Sequence, residues 1–590
     1  MEYVKPRVFA TSVEFNSGQA LELQHDDIVV FVGANNVGKS ATLQQIVQRA
    51  SHPRTRAQHP MQGSNYRTQV LPHEIVKKVV VENEGALDDY RKWVNERFDL
   101  VPRNPGNSGP PQYRCGEISL SGEFYHGTRW ENLAPDKHGN IPYINIFWKQ
   151  LNVMNRLNAN SHPNQMGFET PSNLIQKLYE SLKEEKEFSK LFRETFGTDI
   201  VINRFGGGSI PIHVGDRPEP QEGEEYFSVS FARRFRKLAL LEHQGNGMKA
   251  FFGLLNHAVG DANRSALFID EPEIFLHPPH ARKLGRFLAE QTASNRQLFL
   301  ATHNGAFIRG ILDAASSRVR IVRIGREGKF NPIHQLDKDD IEKLWGDNVL
   351  KHTNILDGLF HERVVVCEGD SDCRFFAAMN NTVSPDRESL FVAAGGKGRI
   401  GSVVRSLTNI GVNVNAVVDF DVLNQESSLR GIFEALGGDW SEIESSYRLV
   451  KLEVEKKKPE LEKSKVLDEI KKAFAEIGAA ENSVPKSTVS QIRDVLKRSS
   501  PWLHCKSIGH RIIPSGDAYG AWKKINDSCR DVGLQIVEDG ELESFAPELG
   551  GDKQKWVTKA LALDLATDSS LANARQFVLR LFAARQPESE

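Results

Sequence analysis

Phe-Val-Gly-Ala-Asn-Asn-Val-Gly-Lys-Ser is the sequence from Phe31 to Ser40, and this stretch decides the fold of the first half of the chain. The β-branched run before it, at 27–32, predicts a buried strand, and the stretch after it, at 41–49, predicts a helix. Between them, the glycines, the lysine and the serine fit the pattern G-x-x-x-x-G-K-[ST]. The order strand, glycine loop, helix therefore predicts an α/β domain built around a phosphate-binding loop.

The residue types in this loop are suited to hold ATP and Mg²⁺. Glycines let backbone N–H groups curl around phosphate oxygens, and the N-terminus of the following helix adds partial positive charge. Lys39 is predicted to reach the β and γ phosphates, and the Ser40 hydroxyl is predicted to ligate Mg²⁺. The residues predicted to contact the nucleotide are Gly33, Asn35, Asn36, Gly38, Lys39, Ser40 and Ala41.

Length and composition indicate a multidomain globular protein. The chain has 590 residues, too many for one hydrophobic core, so about two to four domains are expected. Hydrophobic residues make up 39% and charged residues 26%, which is an ordinary globular balance. The net charge is −2, so any surface that binds nucleic acid has to be a local patch.

The cysteines and the apolar segments predict a cytoplasmic protein. The five cysteines are scattered without zinc-ligand spacing, which favours a reducing compartment. No run of 18 residues is apolar throughout, so no membrane span is expected. The N-terminal residues lack the apolar core of a signal peptide, so no secretion signal is expected either.

A second motif, Ser-Ala-Leu-Phe-Ile-Asp-Glu at 265–271, is a predicted buried strand that ends in two acids. Asp270 is predicted to hold the water shell of Mg²⁺, and Glu271 to orient or deprotonate the attacking water. The alternative is a strand end with two exposed acids. The phosphate-binding loop upstream favours the catalytic interpretation.

Two further features resemble ABC-type ATPases. Gly245 and Gly247 form a glycine turn before an apolar helix, similar to the signature helix that contacts the γ-phosphate bound by a partner subunit. The turn departs from the usual Leu-Ser-Gly-Gly-Gln sequence. His303 ends the apolar strand predicted at 297–303 and resembles the switch histidine of the same ATPases. The segment 272–278 is similar to recombination-type and OLD-type ATPases, and the lack of long coiled-coil arms argues against chromosome tethering.

The second half carries a different set of acids. Glu368 follows a buried strand, Asp372 opens the next helix, and Asp419 and Asp421 lie at the end of another predicted strand. Because residues two apart in a strand share a face, Asp419 and Asp421 are expected to point the same way. This arrangement resembles TOPRIM domains, whose acids bind one or two Mg²⁺, with Mn²⁺ also possible, for phosphodiester chemistry.

Several residues are candidates for supporting roles in this second half. The resemblance implies that Glu541 and Glu543 complete a second metal site, and that Lys553 or Lys555 steadies the scissile phosphate. The role of Asp370 stays open, and the loop at 395–398, which includes Lys397, could lie near a phosphate. The charge run at 454–460 favours a solvated helical surface over a DNA site.

The predicted fold class is α/β, with two domains. Residues 1–345 are predicted to form an ABC-type P-loop ATPase domain, and residues 360–590 a TOPRIM domain. Each is expected to carry a helical block, at 145–197 and at 424–500. The first block is either an insertion for dimerisation or partner binding, or a helical part packed within the same domain. Other predicted elements of the first half are strands at 8–15, 20–23, 75–81 and 118–125 and a helix at 86–98.

An ABC-type ATPase followed by a TOPRIM domain resembles the OLD (overcoming lysogenisation defect) family, which includes the nuclease subunit of the Gabija anti-phage system. The resemblance implies a Mg²⁺-dependent DNA endonuclease under nucleotide control. It also implies a homodimer or a higher homo-oligomer. Whether a defence partner of helicase or reverse transcriptase type is encoded alongside stays open. Two alternatives stay open: an ATPase sensor or scaffold that controls a partner effector, and a DNA-repair ATPase, which would explain the first half only.

Overall fold

The chain divides into two compact units, Met1–Glu342 and Lys343–Glu590. The helix predicted at 86–98 lies outside the residues that can be described. The computed structural model describes residues 7–51, 73–84, 99–101, 112–115, 118–121, 144, 147–158, 174–226, 228–260, 264–291, 296–336, 341, 355–385, 389–457, 463–475, 483–498 and 501–581.

The first unit combines short antiparallel sheets with one larger, mostly parallel sheet. Its strands are β1 Arg7–Phe15, β2 Ala20–Glu22, β3 Ile28–Val32, β4 Val76–Glu84, β5 Asp99–Val101, β6 Gln112–Cys115, β7 Ile118–Ser121, β8 Trp148–Leu151, β9 Ile200–Ile202, β10 Ile212–Val214, β11 Ala239–Leu240, β12 Ala266–Asp270, β13 Gln297–Ala301, β14 Val319–Ile324 and β15 Ile333–Gln335. Its helices are α1 Lys39–Ala50, α2 Val153–Asn158, α3 Leu174–Glu180, α4 Leu182–Phe196, α5 Val229–Phe235, α6 Asn246–Gly260, α7 Pro278–Gln291 and α8 Gly305–Ala315.

The larger sheet positions the ATPase motifs. Its strand order is β15-β14-β3-β13-β12-β8, and every pair is parallel except β14 with β15. The central strands β3 and β13 are buried along their whole length, as their apolar runs predict. Phe268 and Phe299 stack across β12 and β13 with ring centroids 4.5 Å apart. Because β3, β13 and β12 are parallel neighbours, the loops that follow them meet at one edge of the sheet.

The prediction of a helical block at 145–197 is partly wrong. Trp148–Leu151 is a strand, β8, which pairs in parallel with β12 at the edge of the sheet. Trp148 is buried there and its indole Nε1 donates to the carbonyl of Val8 at 2.8 Å. Four residues with two buried positions give too short a pattern to distinguish a strand from a helix turn. The described helical parts of the block are α2, α3 and α4.

The second unit has four strands, β16 Arg363–Cys367, β17 Leu390–Ala393, β18 Asn413–Asp419 and β19 Leu534–Val537. They form a parallel sheet with the order β17-β16-β18-β19. The helices that follow β18 continue to Asp531, beyond the predicted end of the helical block at 500. Its helices are α9 Asp370–Val383, α10 Lys397–Asn409, α11 Glu426–Ala435, α12 Trp440–Glu455, α13 Lys463–Ala475, α14 Lys486–Arg498, α15 Pro501–Ile508, α16 Asp517–Asp531, α17 Lys553–Ala560 and α18 Ala572–Arg580.

Each unit has its own hydrophobic core. In the first unit, the core lies between α1, the larger sheet and the antiparallel sheet β2-β1-β4, and it includes Phe31 and Leu43. In the second unit, Phe375 and Trp556 pack together with ring centroids 5.0 Å apart. Among the described helices, none is both long and apolar enough to cross a membrane.

Candidate functional sites

The phosphate-binding loop requires glycine at both ends of its motif. Gly33 has a φ of 140° and Gly38 a φ of 104°, values that side-chain-bearing residues rarely adopt. A Cβ on Gly33 would lie 2.6 Å from the carbonyl oxygen of Ile324. A Cβ on Gly38 would lie 2.3 Å from Cδ1 of Ile75. Local backbone conformation and close packing therefore both select glycine at these two positions.

Lys39 and Ser40 follow the loop as the first residues of α1, two positions before the predicted start of the helix. Lys39 Nζ donates to the carbonyls of Gly33 and Ala34, at 3.0 and 2.9 Å, and so lies over the loop. Burial lowers the pKa of Lys39, and the carboxylates of Glu271, Asp270 and Glu273 oppose this effect. The remaining predicted contact residues are placed around the same turn: Asn35 and Asn36 are exposed, Asn36 has a φ of 63°, and Ala41 is half-buried.

Asp270 ends β12 and lies against the loop. Its Oδ1 accepts a 2.8 Å hydrogen bond from the Ser40 hydroxyl. Burial raises the pKa of Asp270, and the Ser40 hydrogen bond partly offsets that increase. The structure therefore brings together the two oxygen groups that the sequence predicted as partners of nucleotide-bound Mg²⁺.

Glu271 adopts an unusual backbone conformation directly after Asp270. Its φ is 46°, in the left-handed region, which costs on the order of 1–2 kcal/mol for a residue other than glycine. Its backbone N–H donates to the carbonyl of Ala301 at 2.8 Å. Its Oε1 lies 3.5 Å from Nδ1 of His303, the predicted switch residue. Backbone strain of this kind persists where surrounding contacts fix it, commonly at functional sites.

Two buried residues support this edge, and the sequence analysis gave neither of them a role. Glu273 is 4% exposed, and its Oε1 accepts hydrogen bonds from Thr302 Oγ1 at 2.7 Å and from the backbone N–H of His303 at 3.3 Å. Burial raises the pKa of Glu273. Arg156 is fully buried and donates to the carbonyls of Asp270 and Glu271. Glu273 could have been noticed as a third acid beside Asp270 and Glu271, whereas nothing in the sequence around Arg156 indicates its contacts.

The predicted signature turn lies at the start of α6. Gly247 packs closely against the segment after the acid pair, because a Cβ on it would lie 2.7 Å from the carbonyl oxygen of Phe275. Phe275 has a φ of 66° and a half-exposed ring. Gly245 has open space around its Cα, with nothing within 4 Å of an added Cβ. The contact of this turn with nucleotide on a second copy stays a prediction.

In the second unit, acids converge at the carboxyl ends of neighbouring parallel strands. Glu368 follows β16, Asp419 ends β18, and Asp372 projects from the first turn of α9. Lys553 Nζ lies between two of them, 2.8 Å from Asp372 Oδ1 and 3.6 Å from Asp419 Oδ2. Asp372 also accepts the backbone N–H of Gly369 at 3.0 Å, which fixes the turn between strand and helix. The structure therefore places Lys553 among the predicted metal ligands.

The charges in this cluster influence one another strongly. Burial raises the pKa of Asp419 to about 7; Lys553 opposes that shift, and the carboxylates of Asp372, Glu368 and Asp421 add to it. Burial acts to lower the pKa of Lys553, but Asp419 and Asp372 outweigh it and the pKa is raised. The carboxylates are thus close enough to repel, and a cation among them relieves that repulsion.

The expectation that Asp419 and Asp421 share a strand face is wrong. β18 ends at Asp419, and Asp421 lies in a short 3₁₀ helix, Phe420–Asn424. The turn begins where Phe420 N–H donates to the carbonyl of Gly540, in the loop after β19, at 2.8 Å. Asp421 nevertheless faces basic groups: Lys506 Nζ lies 3.3 Å from its Oδ2, and Lys397, the first residue of α10, also pairs with it.

The remaining candidate residues of the second unit differ in their exposure and in the groups they contact. Lys555 is exposed and lies 3.8 Å from Asp552, so of the two candidate lysines it is Lys553 that faces the acids. Asp370 is exposed and pairs with Arg374 at 2.7 Å. Glu541 precedes the 3₁₀ helix Leu542–Phe545. Burial acts to lower the pKa of Lys506, but the charges of Asp421 and, to a smaller extent, Glu541 act in the opposite direction, and the pKa is raised. Glu543 Oε2 is buried without a hydrogen-bond partner among the described residues.

The predicted metal-binding acids of the second unit do not form a complete metal site in this structure. Within the part of the chain that the structure describes, no three His, Cys, Asp or Glu side chains are grouped so as to hold a metal ion. The described cations that pair with Asp372, Asp419 and Asp421 are lysines, namely Lys553, Lys397 and Lys506. The metal ligand set given by the sequence, Glu368, Asp372, Asp419, Asp421, Glu541 and Glu543, therefore stays a prediction.

Comparison with known proteins supports the assignment of the first unit. Residues 123–309 match the family described as "AAA domain, putative AbiEii toxin, Type IV TA system". The matched range includes Asp270, Glu271 and His303, and the phosphate-binding loop lies before it. This part of the chain is thus similar to an AAA-type ATPase domain, and the unit that contains it has a mixed α/β fold.

The chain is also similar to the protein named Old nuclease from Escherichia phage P2. The two are 24% identical over 239 residues, which is 39% of this chain and 39% of the phage protein. The match therefore spans about two fifths of that relative.

Solved structures of SMC head domains align at low similarity. An SMC head bound to the C-terminal winged-helix domain of ScpA has 14% identity, a TM-score of 0.34, and covers 57% of this chain and 99% of its own. The SMC head of Thermotoga maritima has 13% identity, a TM-score of 0.26, and covers 57% and 100%.

Proposed function

We propose that this chain is a nucleotide-regulated, Mg²⁺-dependent DNA endonuclease of the OLD type that acts in anti-phage defence. The observation that carries the proposal is the convergence of Asp372 and Asp419 on Lys553 at the carboxyl edge of the second sheet. The ATPase domain in the first unit and the similarity to Old nuclease support the same function. The TOPRIM assignment of the second unit and the resemblance to the Gabija nuclease subunit belong to this proposal.

The groups of the ATPase site divide the work of ATP hydrolysis. Lys39 binds the β and γ phosphates, and Ser40 with Asp270 holds the Mg²⁺ that accompanies ATP. Glu271 orients the attacking water or accepts its proton. His303, 3.5 Å from the Glu271 carboxylate, contacts the same region and reports the state of the γ-phosphate to the α8 side of the domain.

The carboxylates of the second unit fit a divalent cation. Their oxygens are the hard ligands that Mg²⁺ prefers, and burial with mutual repulsion raises the pKa of Asp419, a cost that a bound cation relieves. Glu543 Oε2, which has no hydrogen-bond partner among the described residues, is a further carboxylate oxygen of the kind that Mg²⁺ prefers. Glu368, Asp372, Asp419 and Asp421 would hold Mg²⁺ or Mn²⁺, which when bound would supply a Lewis acid for phosphodiester hydrolysis. Lys553, released from Asp372, steadies the scissile phosphate of DNA.

Nucleotide control requires a second copy of the chain in this proposal. The Gly245–Gly247 turn of one copy completes the ATP site of the other, so ATP binding and dimer closure depend on each other. Because coupling free energies are reciprocal, DNA bound at the second unit alters ATP affinity by the same factor by which ATP alters DNA affinity. A helicase or reverse transcriptase type of partner encoded alongside, and a cytoplasmic location, complete the proposal.

The decisive experiment is plasmid cleavage by the purified chain with Mg²⁺ or Mn²⁺, with EDTA, and with or without ATP. Wild-type protein is expected to cut in a metal-dependent manner, and Asp419→Ala to abolish cutting while sparing ATP binding. Asp370→Ala is the matched control, because Asp370 belongs to the same segment as Asp372 but pairs outward with Arg374. Cutting by Asp419→Ala at the wild-type rate would refute the site. No cutting by the wild type under any condition would favour a sensor that controls a partner effector.

A further inference from the structure

Arg156 joins the edge of β8 to the two catalytic acids of the ATPase site. It lies in α2, immediately after β8, and its side chain is fully buried. Nη1 donates to the carbonyl of Glu271 at 2.9 Å, and Nη2 donates to the carbonyl of Asp270 at 2.8 Å. The planar fork of a guanidinium holds two neighbouring carbonyls through two separate nitrogens in a fixed geometry, whereas lysine offers a single nitrogen that cannot reproduce this spacing.

These bonds bear on the strained backbone of Glu271. Its left-handed φ of 46° is fixed on one side by the N–H bond to the Ala301 carbonyl and on the other by Arg156. A strained residue keeps its conformation only when several contacts define it. The Glu271 carbonyl also accepts the N–H of Ile274 at 3.1 Å, so loss of Arg156 removes one of three described hydrogen bonds that hold the Glu271 backbone. Of the two bonds to the Glu271 carbonyl, it is the one that comes from outside the local turn, and its loss lets the carboxylate that faces His303 move.

The backbone of Arg156 makes a second close contact, with the helix that carries the signature turn. A Cβ on Gly253 of α6 would lie 1.9 Å from the Arg156 carbonyl oxygen, so α2 and α6 touch at this glycine. α6 starts beside Gly245 and Gly247. Arg156 thus touches α6 through its backbone and the catalytic acids through its side chain.

We propose that Arg156 is a positioning residue for ATP hydrolysis, which holds Glu271 in its productive conformation and makes that conformation depend on the placement of α6. This inference rests on the proposed hydrolysis of ATP at the Lys39 site. Arg156 acts through Glu271, since its described donors are used by backbone carbonyls. A shift of α6 therefore alters the orientation of the catalytic glutamate through α2.

The test compares Arg156→Lys and Arg156→Ala with Arg286→Lys. Arg286 is an exposed control on α7 whose described partner is Glu290. Steady-state hydrolysis gives kcat and KM, titration with a fluorescent ATP analogue gives the dissociation constant, and thermal melting reports folding. We expect kcat to fall at least tenfold in Arg156→Lys, with nucleotide affinity within threefold of wild type. Added guanidinium should recover part of the activity of Arg156→Ala, because it can restore the donors to the two carbonyls.

A second variant perturbs the same contact without removing the charge. Gly253→Ala places a methyl group against the Arg156 carbonyl and is expected to lower kcat while leaving nucleotide affinity unchanged. It also keeps the inference testable if Arg156→Lys does not fold. A kcat within twofold of wild type in both variants would overturn the inference, as would a loss of affinity equal to the loss of kcat. A wild-type protein that hydrolyses no ATP would instead refute the proposed function of the Lys39 site.

Discussion

The hydroxyl of Ser40 donates a 2.8 Å hydrogen bond to Asp270 Oδ1, and this contact joins two positions separated by 230 residues. In the sheet, β13 lies between the strands that lead to them, so the bond passes over the end of β13. The two oxygens are those that the phosphate loop and the acidic strand are each predicted to supply for Mg²⁺. The fold therefore brings the phosphate-binding loop and the end of the acidic strand β12 into contact within a single chain.

Replacement of Ser40 by alanine is expected to weaken binding of MgATP by roughly tenfold to a hundredfold, because a charge-assisted contact contributes about 1.5–3 kcal/mol. Binding of ATP in EDTA should change far less. Isothermal titration with and without Mg²⁺ measures both values. Ser17→Ala, in the turn after β1, is the control, and an equal loss in EDTA would contradict the Mg²⁺ role of Ser40.

Replacement of Lys39 by alanine is expected to abolish measurable nucleotide binding. Lys39 Nζ lies over the loop on the carbonyls of Gly33 and Ala34, where it can exchange those acceptors for phosphate oxygens. Titration with ATP and ADP checks the loss, and melting curves check folding. Lys78→Ala, an exposed lysine on β4, should bind as the wild type does. Retained affinity in Lys39→Ala would rule out the phosphate-loop role.

The parts of the site that the sequence predicted are those encoded by short, local patterns. Gly33, Gly38 and Lys39 lie in one turn, where backbone conformation and chemistry leave few alternatives. Arg156 could not be found in the same way, because its partners Asp270 and Glu271 are 114 and 115 residues away. A single buried arginine on a six-residue helix carries no periodic signal, so only the folded sheet reveals its contacts.

The second unit shows the same division between local and long-range information. The strand before Glu368 and the strand that ends at Asp419 were predictable from apolar runs followed by acids. The 3₁₀ turn at Asp421 was not, because the strand stops where Phe420 bonds to the loop after β19, more than one hundred residues later. The pairing of Lys397 with Asp421 likewise depends on how α10 packs beside β18, which no local pattern encodes.

Replacement of Lys553 by methionine is expected to destabilise the metal-free protein by about 2 kcal/mol, because Asp372 and Asp419 then face each other without a cation. Added Mg²⁺ should narrow the difference, since a bound cation replaces the lost charge. Urea unfolding in EDTA and in Mg²⁺ measures both effects. Lys555→Met, at an exposed lysine three-quarters accessible, is the control and should change stability by less than about 0.5 kcal/mol. Equal destabilisation of both variants would contradict the assignment of Lys553.

Replacement of Asp419 by asparagine is expected to stabilise the metal-free protein at high pH, while it abolishes cutting. The folded protein holds the pKa of Asp419 at about 7, above the ordinary 3.8 that applies to the unfolded chain. Between those values the folded state keeps a proton that the unfolded state has released, so wild-type stability falls as pH rises through this window.

Asparagine carries no such charge, so its advantage over aspartate should grow by on the order of 2–4 kcal/mol between pH 4 and pH 8. Urea unfolding in EDTA across this range measures the change. Asp370→Asn, at an exposed acid in the first turn of α9, should show no comparable slope. A constant difference between Asp419→Asn and wild type at all pH values would mean that Asp419 is not held among buried, mutually repelling carboxylates. In that case the buried carboxylates would not form the cation site that the proposed nuclease requires.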